Sequence, residues 1–260
     1  MALTYAKYLE LDTLLDLQKP QSDPPEHDEM LFIVIHQTYE LWFKLMLHEF
    51  EKVCRDFSSN DMYGAIATFK RLRTIMKTLV GQLDILETMT PMSFTSFRDR
   101  LETSSGFQSS QFREFEYMLG FKRPEMMKYC DLESKSYGNV EKRLHAQSLM
   151  DHFYEFLEHQ DVVIPQQLKE KDATASTEPN PQIQEGLYKL YKSQPNVAIL
   201  LELMTDFDEG QQEWRYRHVK VVERTIGNKK GTGGSLGVEF LKKSLFKPVF
   251  PDLWAIRHRL

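Results

Sequence analysis

The chain has little cysteine, little net charge and no long apolar run, and each shortage removes a class of protein. Cys54 and Cys130 are the two cysteines. One bridge is the most they could form, so a disulfide-stapled secreted domain is excluded and a reduced, cytoplasmic interior is expected. The net charge of −5 over 260 residues gives no general case for nucleic acid or an anionic membrane surface. The longest apolar run, "MLFIVI" at 30–35, is far short of the roughly 20 residues of a membrane span. The first residues, "MALTYAKYLELDTLLDLQ", lack a basic stretch followed by an apolar one, so no signal peptide is expected. Strand signals are scarce as well: period-2 alternation is not sustained, and no Asn-Gly turn occurs.

What remains is helical periodicity in a chain 41% hydrophobic, long enough to bury a core without staples. Ile66, Phe69, Leu72, Ile75, Met76, Leu79, Leu83 and Leu86 follow three-and-four spacing. "Pro-Asn-Val" at 195–197 opens a second long helix through Val197, Leu200, Leu201, Met204, Phe207, Trp214, Val221, Val222 and Ile226. A shorter amphipathic helix is expected over 139–159. Three stretches interrupt: "KPQSDPPEH" at 19–27, the polar "KEKDATASTEPNPQ" at 169–182, expected as an exposed or mobile loop, and the glycine-rich "GNKKGTGGSLG" at 227–237. The spacing predicts one all-α helical bundle over 1–260, with an N-terminal arm at 1–18 and a mobile insertion at 160–182.

The helix from Asp28 to Arg55 carries two apolar stripes. Leu31, Val34, Ile35, Leu41, Trp42, Leu45 and Met46 form one; Phe32, His36, Tyr39, Phe43 and Leu47 form the other. Two stripes predict a helix covered on both sides. His36 then sits in apolar surroundings one turn above Phe32, as either a satisfied core histidine or a pocket residue facing a ligand. His218, in "WRYRHVKVVERTIG", raises the same two readings between Trp214 and Val222, with Arg215 and Arg217 available to an anionic cofactor edge or to solvent. No "HExxH", no Glu-x-x-His pair, no "CxxCH" and no Cys/His cluster occurs. That leaves a non-covalent haem held by one histidine as the open metal chemistry. "GTGGSLG" at 231–237 has no Walker lysine. It is either a flexible loop or a nest of N–H groups closing over a small anion, with the Thr232 hydroxyl adding a hydrogen bond. Phe94 and Arg98 share a helix face, which suits either a surface ion pair or bidentate capture of a carboxylate beside aromatic rings.

Taken together, "YAKYLELDTLL", "HDEMLFIVIHQTYELWFKLMLHE", "FTSFRDRLETSSGFQSSQFRE" and "WRYRHVKVVERTIGNKKGTGGSLG", in this order along nearly the whole chain, resemble the tryptophan 2,3-dioxygenase family. The resemblance implies an all-helical enzyme with one non-covalent haem b per subunit, working as a homotetramer on L-tryptophan and O2. It implies His218 as the axial ligand of the iron, with Ser105 and Gly106 passing close over the haem. It implies His36 facing the indole N–H, Phe32 packing on the indole, and Phe94 beside the substrate. Arg98 would bind the carboxylate, Thr232 the ammonium and carboxylate, and Tyr5 and Tyr8 would complete a neighbouring subunit's pocket. The implied reaction opens the indole C2–C3 bond to give N-formylkynurenine, the first step of tryptophan degradation by the kynurenine route. The alternatives are a monooxygenase on the same scaffold and a non-catalytic haem or tryptophan sensor. Leu236 and Phe240 depart from the family's frequent serine and tyrosine.

Overall fold

A computed structural model describes residues 2–132, 134, 136–227, 229, 231 and 237–260. Among them no strand occurs, and the chain is all-α. The arm holds two single-turn helices, α1 (Tyr5–Tyr8) and α2 (Leu11–Leu14). The 32-residue α3 (His27–Ser58) follows, then α4 (Met62–Leu86), the short α5 (Pro91–Arg98) and α6 (Ser110–Met118). Next come α7 (Tyr137–His145), α8 (Leu149–His159), α9 (Gln166–Lys169), α10 (Pro181–Ser193) and the second 32-residue helix, α11 (Pro195–Ile226). α12 (Val238–Lys242) and α13 (Pro251–Ala255) complete the chain.

The helices start where side chains satisfy the first free N–H groups. The Asp61 carboxylate accepts from Gly64 N at 2.9 Å at the head of α4. Thr90 accepts from Ser93 N at 3.1 Å, with Pro91 in the first turn of α5. Asn180 accepts from Gln182 N and Ile183 N ahead of Pro181 in α10. Glu29, buried in the first turn of α3, accepts from Gln21 N and Ser22 N and so ties the 19–26 segment to the helix it precedes. The single helix expected over 139–159 is two helices. Ser148 and Asp151 form a reciprocal capping box that starts α8 afresh after α7 ends at His145. A Ser three residues before an Asp outweighed the continuous apolar spacing.

α3, α4 and α11 pack against one another as the centre of the bundle, with α8 and α6 on α3 and α10 on α11. Phe50, Phe57, Phe69, Phe153, Phe156, Phe207 and Phe250 are wholly enclosed there. Each such ring contributes about 1.5–3 kcal/mol by leaving water. The expectation that α3 is covered on both sides holds for Ile35, Met46 and the second stripe but not along the first. Val34 and Leu41 are 42% and 52% exposed, beside Met30 at 42%.

The 164–182 stretch crosses the turn after α6. Thr177 N donates to the Gly120 carbonyl, and the Ser176 hydroxyl donates to the Lys122 carbonyl at 2.7 Å. Gly120 has φ +91°, and a Cβ there would stand 2.7 Å from Thr177 Oγ1. Glycine is required at that position on both counts. Lys122, itself buried, inserts its ammonium among the carbonyls of Arg143, Leu144 and Ala146 at 2.6–3.0 Å and so caps the end of α7.

Candidate active site

A cavity of about 290 Å³ lies between the first half of α3, α5, the 101–109 segment, α6 and the last turns of α11. Helix periodicity places its walls. Phe32, His36, Tyr39, Glu40 and Phe43 recur at three-and-four spacing on α3, and Trp214, Arg215, His218, Val219 and Val222 do so on α11. A wider groove of about 600 Å³ between α3, α7 and α8 opens to solvent, and its Glu51 and Arg143 are already paired at 2.6 Å.

His36 lies near the middle of the α3 wall. Its Nδ1 is 2.7 Å from the Phe32 carbonyl oxygen one turn back. That carbonyl can only accept, so Nδ1 carries the hydrogen and Nε2 keeps a lone pair for the cavity. Burial holds the His36 pKa below the usual histidine value, opposed by the Phe32 bond and by the Glu40 carboxylate. The Phe32 ring lies 4.0 Å from the imidazole, and Phe94 and Phe97 stand 5.7 and 5.6 Å from Phe32. Phe94 and Arg98 come from α5, whose last residue is Arg98, and both line the cavity. Ser105 caps the turn Gly106–Gln108, its hydroxyl accepting from Phe107 N at 3.3 Å, and Ser105 and Gly106 form part of the same wall.

His218 faces the cavity from α11. Burial, with a smaller contribution from His36, pushes its pKa down to about 4. It is therefore a neutral imidazole at neutral pH, and among the described residues its ring makes no hydrogen bond. Trp214, one turn before it, stacks on it with planes 7° apart and centres 5.4 Å apart. The Trp214 N–H is buried without a hydrogen bond of good geometry; the nearby Tyr39 hydroxyl donates instead to the Leu79 carbonyl at 2.6 Å.

Of the ten site residues expected from sequence, Phe32, His36, Phe94, Arg98, Ser105, Gly106 and His218 converge on one cavity. Tyr5 and Tyr8 do not. They sit on α1, 75% and 71% exposed, outside this chain's own pocket. Thr232 lies outside the described residues, as does Leu236. Arg217 turns from the cavity to Asp84 and Glu87 at 2.6 and 3.2 Å. Glu40, Arg113, Glu116 and Arg123 are cavity residues the sequence reading did not single out.

The donor set suits an iron porphyrin better than a bare ion. His218, a neutral imidazole whose ring makes no hydrogen bond among the described residues, lines a cavity of mostly aromatic and aliphatic residues. Among the described residues no group of three metal-ligating side chains completes a protein-only sphere. A porphyrin would bring its own nitrogen donors and require a single donor from the protein, which His218 would provide.

A family model described as Tryptophan 2,3-dioxygenase matches residues 1–163 and 183–260. Among similar proteins, the tryptophan 2,3-dioxygenase of Herpetosiphon aurantiacus is 51% identical over 256 residues, covering 98% of each chain. That of an Anaeromyxobacter species is 47% identical, over 100% of this chain and 97% of its own. That of an Arthrobacter species is 40% identical, over 98% and 91%. Likeness of this extent is common ancestry along the full length, and the chain belongs to the tryptophan 2,3-dioxygenase family.

Proposed function

We propose that the chain is a haem-dependent dioxygenase that inserts both atoms of O2 across the indole C2–C3 bond of L-tryptophan, yielding N-formylkynurenine. The observation that carries this reading is the pairing of His36 and His218 on facing walls of one cavity, with Phe32 and Arg98 beside them. His218 would hold the haem iron, its imidazole kept neutral by burial and stacked against the Trp214 ring. When bound, the haem supplies the oxygen chemistry, and the protein supplies orientation, exclusion of water and electrostatics.

The substrate's ring and its polar end are held by different elements. Phe32 and Phe94, backed by the buried Phe97, offer an aromatic surface against which the indole packs. The Nε2 lone pair of His36 accepts the indole N–H. Arg98, from α5, takes the α-carboxylate, and Thr232 adds contacts to the carboxylate and ammonium. The ring-bearing side chain, carboxylate and ammonium, three of the four groups on the substrate's α-carbon, are then fixed together, which selects the L enantiomer. Ser105 and Gly106 border the haem. His36 orients the substrate and is not required as a base, since the indole N–H is a very weak acid and need not leave before C2 or C3 is attacked.

The working form we propose is a homotetramer. Met30, Val34 and Leu41 on α3, and Leu3, Tyr5, Tyr8, Leu15 and Leu17 of the arm, are exposed apolar side chains that another subunit could cover. Tyr5 and Tyr8 then complete a neighbour's pocket. Cys54 and Cys130 are unbridged and buried, in keeping with a reducing, cytoplasmic setting.

The test is anaerobic reduction of haem-loaded protein, addition of L-tryptophan and then O2, and mass analysis of the product. A gain of two oxygen atoms is expected. A gain of one, or no product from protein with a normal haem spectrum, overturns the reading.

A further inference from the structure

Three guanidinium groups meet a single carboxylate in the cavity wall. Arg113 and Glu116 come from α6, Arg123 from the turn after it, and Arg215 from α11, one turn before His218. Glu116 accepts from Arg113 Nη1 and from Arg123 Nη2 at 2.6 and 2.7 Å, with Arg215 Nη2 3.6 Å away. Burial alone would raise the Glu116 pKa; the guanidiniums outweigh it and hold the carboxyl ionised. Arg113, Glu116 and Arg215 are 3%, 2% and 5% exposed. The cluster therefore carries two positive charges more than it neutralises.

Among the described residues Asp208 offsets part of that excess. Asp208 attracts Arg215, but its carboxylate already accepts from Phe250 N, Trp254 Nε1 and Gln212 Nε2. Arg215 spends its fork on the Ser244 carbonyl and, with the amide suitably oriented, on the Gln211 oxygen, its face lying on the Phe121 ring. Among the described residues Arg113 donates from Nη1 to Glu116, and it is one of the residues that line the cavity. Unpaired charge in a buried wall is strongly unfavourable unless a ligand neutralises it.

We propose that Arg113, Arg123 and Arg215 form the seat of the two propionate carboxylates of the haem, an inference that rests on the haem reading above. Two excess positive charges meet two carboxylates. Arg215 shares a helix face with His218, so the groups that would hold the rim and the axial position of one macrocycle are one turn apart on one rigid element. The apolar remainder of the cavity, with Leu83, Leu86, Phe43 and Phe112, receives the uncharged edges. The cluster would thus set the orientation of the macrocycle, while Arg98 on α5 is the residue proposed for the amino acid.

The experiment compares iron protoporphyrin IX with its dimethyl ester, whose side chains are uncharged. Each is titrated into haem-free protein by Soret absorbance, and its release to excess apomyoglobin is timed. Wild-type protein should release the ester about tenfold faster or more, and Arg113→Gln should release haem about as fast as wild type releases the ester. Arg113→Lys should recover part of the difference. Wild type releasing both porphyrins at one rate overturns the proposal, and that comparison stands even if Arg113→Gln fails to fold. An Arg113→Gln protein that holds haem like wild type but binds L-tryptophan more weakly assigns the cluster to the substrate carboxylate instead. A wild type that binds neither porphyrin ends the haem reading itself, and this inference with it.

Discussion

The indole of Trp214 lies parallel to the imidazole of His218, with 7° between their planes, and the two rings are one turn apart on α11. Both residues are placed by the same backbone, so the stack fixes the imidazole's rotation without a hydrogen bond. A stacked aromatic pair contributes about 0.5–1.5 kcal/mol beyond burial. Trp214→Leu should therefore fold and bind haem but lose it to apomyoglobin about two- to tenfold faster. An unchanged rate removes the stack from any role in holding the axial ligand.

His218→Ala breaks no hydrogen bond to a described residue and leaves the helix intact. It should keep its far-ultraviolet circular dichroism while losing haem or all turnover. A haem spectrum identical to wild type in this variant would mean that the iron is ligated elsewhere.

Arg98 is the last residue of α5 and lines the same cavity as the guanidinium cluster. Hydrogen bonds to charged groups contribute about 1.5–3 kcal/mol, so Arg98→Ala should raise the KM for L-tryptophan about tenfold to a hundredfold with a normal haem spectrum. Steady-state kinetics with spectroscopy on the same sample decide it: haem loss in parallel with the KM change would contradict the assignment.

His36 makes the pH dependence asymmetric. Burial lowers its pKa, so the neutral ring persists below the ordinary histidine value of about 6.5. Once protonated, Nε2 becomes a donor facing the indole N–H, itself a donor. kcat/KM should hold steady above that value and fall as pH drops through the depressed pKa. His36→Ala should be slower, still active, and without this acid limb. A limb above pH 6.5, or one that survives in His36→Ala, would remove His36 from the role.

Much of this was legible in the sequence because helix periodicity and cavity geometry share one cause. Phe32, His36, Tyr39 and Phe43 face one direction by spacing alone, and α11 follows the same rule. What escaped was contact between distant segments. Arg113 and Glu116, three residues apart, read like any surface ion pair on a helix until Arg123 and Arg215 close over the same carboxylate. The exposed Val34 and Leu41 were unreadable for another reason: a periodic apolar stripe shows that a face seeks cover but not whether its own chain provides it. The break between α7 and α8 was written locally, in Ser148 and Asp151, and the regular apolar residues on either side masked it.

Gly120 gives the 164–182 stretch a reach beyond its own surface. That stretch has no counterpart in the matched family pattern, yet it is stitched on both sides of Phe121, at the Gly120 and Lys122 carbonyls. Phe121 lies under the Arg215 guanidinium, and Arg123 follows two residues on. The strap is thereby joined through Phe121 to the charged rim of the cavity, so a change in its length or sequence should be felt at that rim even where no cavity residue is altered.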